Sequence, residues 1–337
     1  MKIKILFTLI FLGLTFLTSC AQRETKINGI SFVASRQAVE QKFVDPVLKL
    51  NANYASVMPF GFIRDLNYPE ITYNTKRQWF GETIEGAKQY IEMLHKNKIQ
   101  VMLKPHIWIW HGEFTGLLKM NSEEDWRILE DSYRNFILDF AKLAQETECK
   151  LFCIGTELEL FIVNRTEYWH NLIDEIKSVY MGKLTYAANW DEYKRVPFWN
   201  DLDYIGVDAY FPVSESETPT IEESRLGWKP WKEEMQTLSN STNKKILFTE
   251  FGYRSVSFTG KEPWKSDRSI NTVNLEAQSN ATKALFDEIW NEDWFAGGYL
   301  WKWYLNHNEA GGVENSRFTP QNKPAEGIIR EYYKNLK

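Results

Sequence analysis

The chain predicts a single-domain α/β fold, a (β/α)8 TIM barrel, and three observations carry that expectation. Eight apolar runs of strand length are spaced along 337 residues, bounded by polar residues as strands covered on both faces are. Amphipathic helical patterns separate most of them, as βα units require. No Pro- or Ser-rich linker, charge block or internal repeat marks a second domain, and no glycine-rich phosphate loop follows the first run, which weighs against a nucleotide-binding sheet. Length by itself suits either one large barrel or two ordinary domains.

In chain order, the first strand is expected over 28–34 and a helix over 37–50, with Val44, Val47, Leu48 and Leu50 on its apolar face and Pro46 early in it. A second strand follows over 54–63. A long polar loop then passes Arg77 and Trp79 to an amphipathic helix over 84–96, where Ile84, Ala87, Ile91 and Leu94 recur at helical spacing. The third strand, 100–106, continues through Trp108 and Trp110 to His111. The longest helix covers 123–145, and the fourth strand, 150–157, ends on Glu157. A helix over 168–179 leads to strand five, 183–190, and strand six covers 202–210. The segment 212–231 is expected to form a long mobile cover near the mouth. Strand seven, 244–250, delivers Glu250, with Gly252 letting the backbone turn; a helix over 275–290 and an eighth strand over 295–304 complete the barrel.

The amino terminus has a different character. Lys2 and Lys4 precede an apolar stretch over 5–17 that is too short and wrongly flanked for a spanning helix. Leu17-Thr18-Ser19-Cys20 resembles the bacterial lipobox, which implies cleavage before Cys20 and diacylation of its thiol; a plain secretory signal is the alternative. The expected organisation is a signal peptide over 1–19, a lipidated tether over 20–27 and the barrel over 28–337. Two acyl chains would hold the protein stably on a membrane of the bacterial cell envelope, at the outer membrane or cell surface.

Removing Lys2 and Lys4 with the signal takes the 40 basic residues to 38 against 45 acidic, a formal −7. No basic patch interleaved with aromatics points to nucleic acid. Cys149 and Cys153 then remain; four residues apart on an extended strand they stand about 13 Å apart, too far for a disulfide, and they read as small buried side chains. His106 and His111 lack metal-site spacing, so neither a metal nor a cofactor is expected. The 14 Trp, 16 Tyr and 21 Phe exceed what core packing usually requires and suit the apolar faces of sugar rings.

In a (β/α)8 barrel the chemistry sits at the C-terminal ends of the strands. Glu157 and Glu250 each end an apolar run there, on strands the fold sets across the mouth. Two such carboxylates are what retaining glycoside hydrolysis uses, one attacking the sugar and the other giving and then taking a proton. Glu159 is the rival acid, two residues beyond Glu157.

Thr249-Glu250-Phe251-Gly252 and Gly155-Thr156-Glu157 resemble the strand-seven nucleophile and strand-four acid/base motifs of clan A glycoside hydrolases. Lys104-Pro105-His106-Ile107-Trp108, Leu300-Trp301-Lys302-Trp303, Gly311-Gly312 and Lys323-Pro324-Ala325 are similar to family 113 of that clan, whose activity is endo-β-1,4-mannanase. The resemblance spans nearly the whole mature chain. It implies Glu250 as nucleophile, Glu157 as acid/base and Tyr210 as hydrogen-bond partner of the nucleophile. The clan's usual Asn before the acid/base is Thr156 here.

Substrate contacts are expected from His106, Trp108, Asn189, Tyr210, Trp301 and Trp303, with Trp301 and Trp303 sharing a strand face by period two. Trp110 and Trp190 are further subsite candidates. Arg64 and Asp208 read either as an ion pair or as barrel-interior polar groups. The expected function is retaining, endo-acting cleavage of β-1,4-mannan or manno-oligosaccharides by a monomer. A hydrolase of another β-linked glycan and a lipid-anchored sugar-binding protein without catalysis are the alternatives.

Overall fold

The computed structural model describes residues 25–266 and 272–335. The signal peptide, Cys20 and the start of the tether lie outside the described residues.

From the amino terminus the elements are β1 (Ile27–Phe32), α1 (Gln41–Lys49), β2 (Tyr54–Val57), β3 (Phe60–Ile63), β4 (Thr72–Tyr73), α2 (Ile84–Lys96), β5 (Gln100–Leu103), β6 (His106–Ile109) and α3 (Glu123–Glu146). They continue as β7 (Leu151–Thr156), α4 (Glu159–Asn164), α5 (Thr166–Val179), β8 (Lys183–Asn189), β9 (Tyr204–Asp208), α6 (Ile221–Thr242), β10 (Lys245–Phe251), α7 (Leu275–Ile289), β11 (Phe295–Trp303) and α8 (Pro324–Asn335).

Eight parallel strands close in the order β1-β11-β10-β9-β8-β7-β5-β2, so the single-domain (β/α)8 barrel is present with all eight expected strands in it. Ile27, Met102, Leu151, Cys153, Leu247 and Tyr299 are among the side chains filling the barrel's interior, and a larger apolar layer packs the sheet against the helices. Cys153 belongs to the inner cluster and Cys149 to the outer one, and both thiols are free. Helix starts follow local chemistry: the hydroxyls of Thr83, Ser122 and Thr220 and the amide oxygen of Asn274 accept from backbone N–H groups in the first turns of α2, α3, α6 and α7.

Two adjacent barrel strands are shorter than expected. Each stops before a proline, Pro59 after β2 and Pro105 after β5, and resumes as a short parallel pair, β3 with β6, extended by β4. A proline supplies no N–H to a ladder, so it falls where a strand bends out of a sheet. The pairing nevertheless stays in step: Val57 opposes Leu103 before the prolines and Phe60 opposes His106 after them, an unchanged offset.

The expected cover over 212–231 is not a loop throughout; its second half opens the 22-residue helix α6, with Pro230 inside it. Burial overrides the two helix breakers there. Trp228 is fully buried, and at Gly227 a side chain would put its Cβ 1.8 Å from the Val213 carbonyl oxygen, so glycine is the residue that lets the helix lie against that segment. Among the described residues no helix is long and apolar enough to cross a membrane.

Candidate active site

The C-terminal mouth gathers Lys104 after β5, Glu157 after β7, Asp208 at the end of β9, Tyr210 just beyond it, and Glu250 near the end of β10. Lys104, Asp208 and Glu250 are buried. The Lys104 ammonium donates to Glu250 Oε1 at 2.7 Å and to both carboxylate oxygens of Asp208 at 3.2 and 3.4 Å. Tyr210 donates its hydroxyl to Glu250 Oε2 at 2.8 Å, and Thr249 donates to Asp208 Oδ1 at 2.7 Å. Both oxygens of Glu250 are therefore held by donors, each with a lone-pair site to spare.

Burial alone would lower the pKa of Lys104, but the carboxylates of Asp208 and Glu250 reverse this and hold it above its ordinary value, as a cation. One cation cannot balance every carboxylate here. Burial, with Glu250's charge, pushes Asp208 up to about 7. Glu157 lies well above the ordinary carboxylate range, first through burial and then through the charges of Asp208 and Glu250.

The backbone at Glu157 is left-handed, with φ 50°, an uncommon conformation for a residue with a side chain. It turns the chain from β7 into α4 while Glu157 N–H donates to Ala187 O at 2.8 Å. The next residue is pinned by a buried relay: Leu158 N–H donates to the Tyr186 hydroxyl at 2.6 Å, and Tyr186 donates to Glu192 Oε1 at 2.8 Å. Glu192 Oε2 accepts from Asn189 N–H at 3.0 Å. The Thr156 hydroxyl is buried without a hydrogen-bond partner.

Glu192 gives this relay a pH dependence. Burial raises it to about 7, against an ordinary value near 4.5, so between those values the folded chain holds a proton that the unfolded chain releases. Its contribution is greatest below the ordinary carboxylate range and is lost as pH rises toward 7, in total about 3 kcal/mol. Glu192→Gln is expected to flatten the fall in thermal midpoint between pH 4.5 and 7.5. An unaltered pH slope in the variant would assign the titration elsewhere.

His106 stands with its Nε2 3.9 Å from Glu250 Oε1, buried and unpartnered, and burial followed by the Lys104 charge lowers its pKa well below the ordinary value, keeping it neutral. Its ring stacks on Trp301 at 6.4 Å and 17°. Asn189 lies in register beside Asp208 at the rim, where its side-chain oxygen accepts from Trp190 N–H. Trp190 stacks on Trp264 at 4.9 Å, and Trp108 lies exposed on β6.

Trp303 is not at the mouth. It is fully buried, in the apolar layer between sheet and helices. The pairing of β1 with β11 passes from Ile30–Leu300 to Phe32–Trp303, two residues facing three, and one extra residue moves Trp303 off the face that simple alternation assigns it. Arg64 and Asp208 are not paired: Arg64 is an exposed side chain near Asp65, while Asp208 is a barrel-interior group. Glu159 opens α4 and points to Arg195, 2.5 Å away, rather than joining the cluster. Lys104, Tyr186 and Glu192 were not among the residues expected at the site. Among the described residues no group of three or more His, Cys, Asp or Glu is arranged to hold a metal ion.

The Glycoside Hydrolase Family 113 model matches residues 34–323, a span that contains every side chain of this cluster. Among solved structures, the GH113 beta-mannanase AaManA from Alicyclobacillus acidocaldarius, in complex with ManMIm, has a TM-score of 0.79 at 22% identity, covering 93% of this chain and 98% of that one. A GH113 beta-1,4-mannanase complex scores 0.79 at 21% identity, over 92% and 99%. A Faecalibacterium prausnitzii beta-glucuronidase scores 0.62 at 15% identity, over 93% of this chain and 49% of that one. These likenesses are of fold. No curated protein matches. With the family model covering most of its length, this barrel belongs to glycoside hydrolase family 113 and is a glycoside hydrolase.

Proposed function

We propose that this glycoside hydrolase is an endo-acting β-1,4-mannanase working with retention, with Glu250 as nucleophile and Glu157 as acid/base. The observation that carries the reading is the unequal environment of the two carboxylates. Glu250 is held on one oxygen by an ammonium and on the other by a phenol, both donating to it. Glu157 is pushed toward its protonated form by burial and its neighbours. Pairs whose environments push them apart in this way divide into base or nucleophile and acid.

In the first step a Glu250 oxygen bonds to the anomeric carbon while the bond to the leaving oxygen breaks, and the Glu157 proton goes to that oxygen. The product is a glycosyl ester on Glu250. Glu157, now a carboxylate, then takes a proton from water as the water oxygen attacks the same carbon, releasing Glu250 and restoring the starting charges. Neutral His106 stands beside Glu250, and Trp301, stacked on its ring, offers a face to the reacting sugar. Thr156 stands where the clan has an amide, with its hydroxyl buried beside Cys153. Family membership, and the mannanase activity of the solved family members, support mannan as substrate. In the cell we place the enzyme on the envelope, tethered through Cys20.

Chromatography of products from linear β-1,4-mannan, with β-1,4-glucan and β-1,4-xylan alongside, tests the substrate, and proton NMR of the first-formed anomer tests the stereochemistry. Short manno-oligosaccharides and an initial β-anomer are expected. Cleavage of another glycan alone would remove mannan, an initial α-anomer would remove the double displacement, and binding without cleavage of any glycan would remove hydrolysis.

A further inference from the structure

The small sheet beside the mouth has two unlike faces. Gly61, Ile63, Ile107 and Ile109 turn into the core, while Phe60, Phe62, His106 and Trp108 alternate onto the other face. Phe60 stands in register beside His106 and Phe62 beside Trp108. An aromatic strip thus leads from His106, next to Glu250, past Trp108 to Trp110, which are 49% and 60% exposed. It floors a cleft of about 870 Å³, walled on the far side by Gln78 and Trp79. Gln78 Nε2 donates to Phe60 O at 2.9 Å and so ties that wall to the sheet, and the Arg36 guanidinium sits 5.3 Å over the Trp79 ring.

Two further guanidinium groups border the cleft, those of Arg64 and Arg77. Arg64 meets Asp65 only at 3.5 Å, with both side chains largely in solvent, and Arg77 has no ion pair among the described residues. The one carboxylate in the lining, Glu82, is committed to Trp79 N–H at 2.9 Å, and burial raises its pKa. The Arg64 guanidinium also lies 5.5 Å over the Tyr68 ring, so a chain of formal charge −5 sets one unpaired guanidinium and one weakly paired one, both solvent-facing, on an exposed aromatic face continuous with its mouth. Exposed apolar faces of this kind mark binding surfaces, and a guanidinium fork matches a carboxylate in two parallel hydrogen bonds.

We propose that this cleft is a subsite for a carboxylate-bearing sugar, with the aromatic rings taking pyranose faces and Arg64 and Arg77 taking the acid. Resting on the hydrolase reading above, it makes the preferred substrate an acidic, uronate-containing β-linked glycan rather than a wholly neutral one.

The test measures kcat/KM of the full chain on two manno-oligosaccharides of equal length, one carrying a glucuronosyl substituent and the other its neutral glucosyl counterpart. At low ionic strength the acidic substrate is expected to be favoured about two- to fivefold, the size of an exposed ion pair, and 0.5 M salt is expected to erase the preference. In the Arg64→Ala/Arg77→Ala double variant the acidic-to-neutral ratio is expected to fall to about one. Equal use of the two substrates by the unaltered enzyme, or a preference that survives the double substitution, would overturn the proposal. Should neither oligosaccharide be hydrolysed, the mannanase reading fails, and calorimetric titration with the same pair still decides whether the cleft selects the acid.

Discussion

Glu250→Ala is expected to lower kcat on manno-oligosaccharides by about 10⁵-fold or more, close to 7 kcal/mol of transition-state stabilisation. The size follows from the role: without the carboxylate no glycosyl ester forms, and what remains is binding and proton donation. Alanine also opens a space against the anomeric carbon, and the Lys104 ammonium and Tyr210 phenol that held Glu250 remain to receive an anion there. Added azide is therefore expected to restore part of the turnover and to yield the α-glycosyl azide. Undiminished mannan cleavage in this variant would remove Glu250 from the nucleophile's role.

Lys104→Met is expected to be nearly as damaging, through a side chain that need not touch the substrate. Lys104 bridges two buried carboxylates, and removing one partner of a buried ionic cluster leaves uncompensated charge, typically 3–5 kcal/mol of stability. Asp208, already pushed up to about 7 with the ammonium present, is expected to take up a proton and relieve part of that cost. For catalysis the consequence is in the pH profile. Losing the ammonium makes ionising Asp208 costlier and removes a charge that holds Glu157 down, so both limbs of the kcat/KM profile are expected to move to higher pH. A fall of about 10²- to 10³-fold at neutral pH is expected, consistent with loss of a preorganised charge beside the reacting centre. A variant that melts earlier yet keeps both limbs in place would make Lys104 a structural group only.

What could be read from the sequence, and what could not, follows from the range of the interactions. The eight barrel strands are local: each is an apolar run ended by polar residues, and all eight are found in the closed sheet. Glu157 and Glu250 stood out because each ends such a run. Lys104 also ends one, but a lysine at a strand end usually reaches water, and its partners lie 104 and 146 residues away in sequence. Glu192 sits in a polar turn that reads as surface, and only the fold brings Tyr186 under it. Trp303 was misplaced because alternation has no sign of a one-residue slip against β1. The start of α6 reads as a loop in the sequence because Gly227 and Pro230 break helices on average, whereas the burial of Trp228 is a property of the folded chain.

The prolines that end β2 and β5 leave the register of the two strands unchanged across the bend. The rim wall can therefore vary in length while Lys104, one residue before Pro105, stays where the barrel puts it. Lengthening β3 and β6 together by two residues would add one outward-facing rung, about 7 Å, at the strand rise of 3.3–3.4 Å per residue. On the proposal that this sheet carries substrate, its reach would be graduated like a ruler, set in whole rungs beside an unmoved barrel mouth.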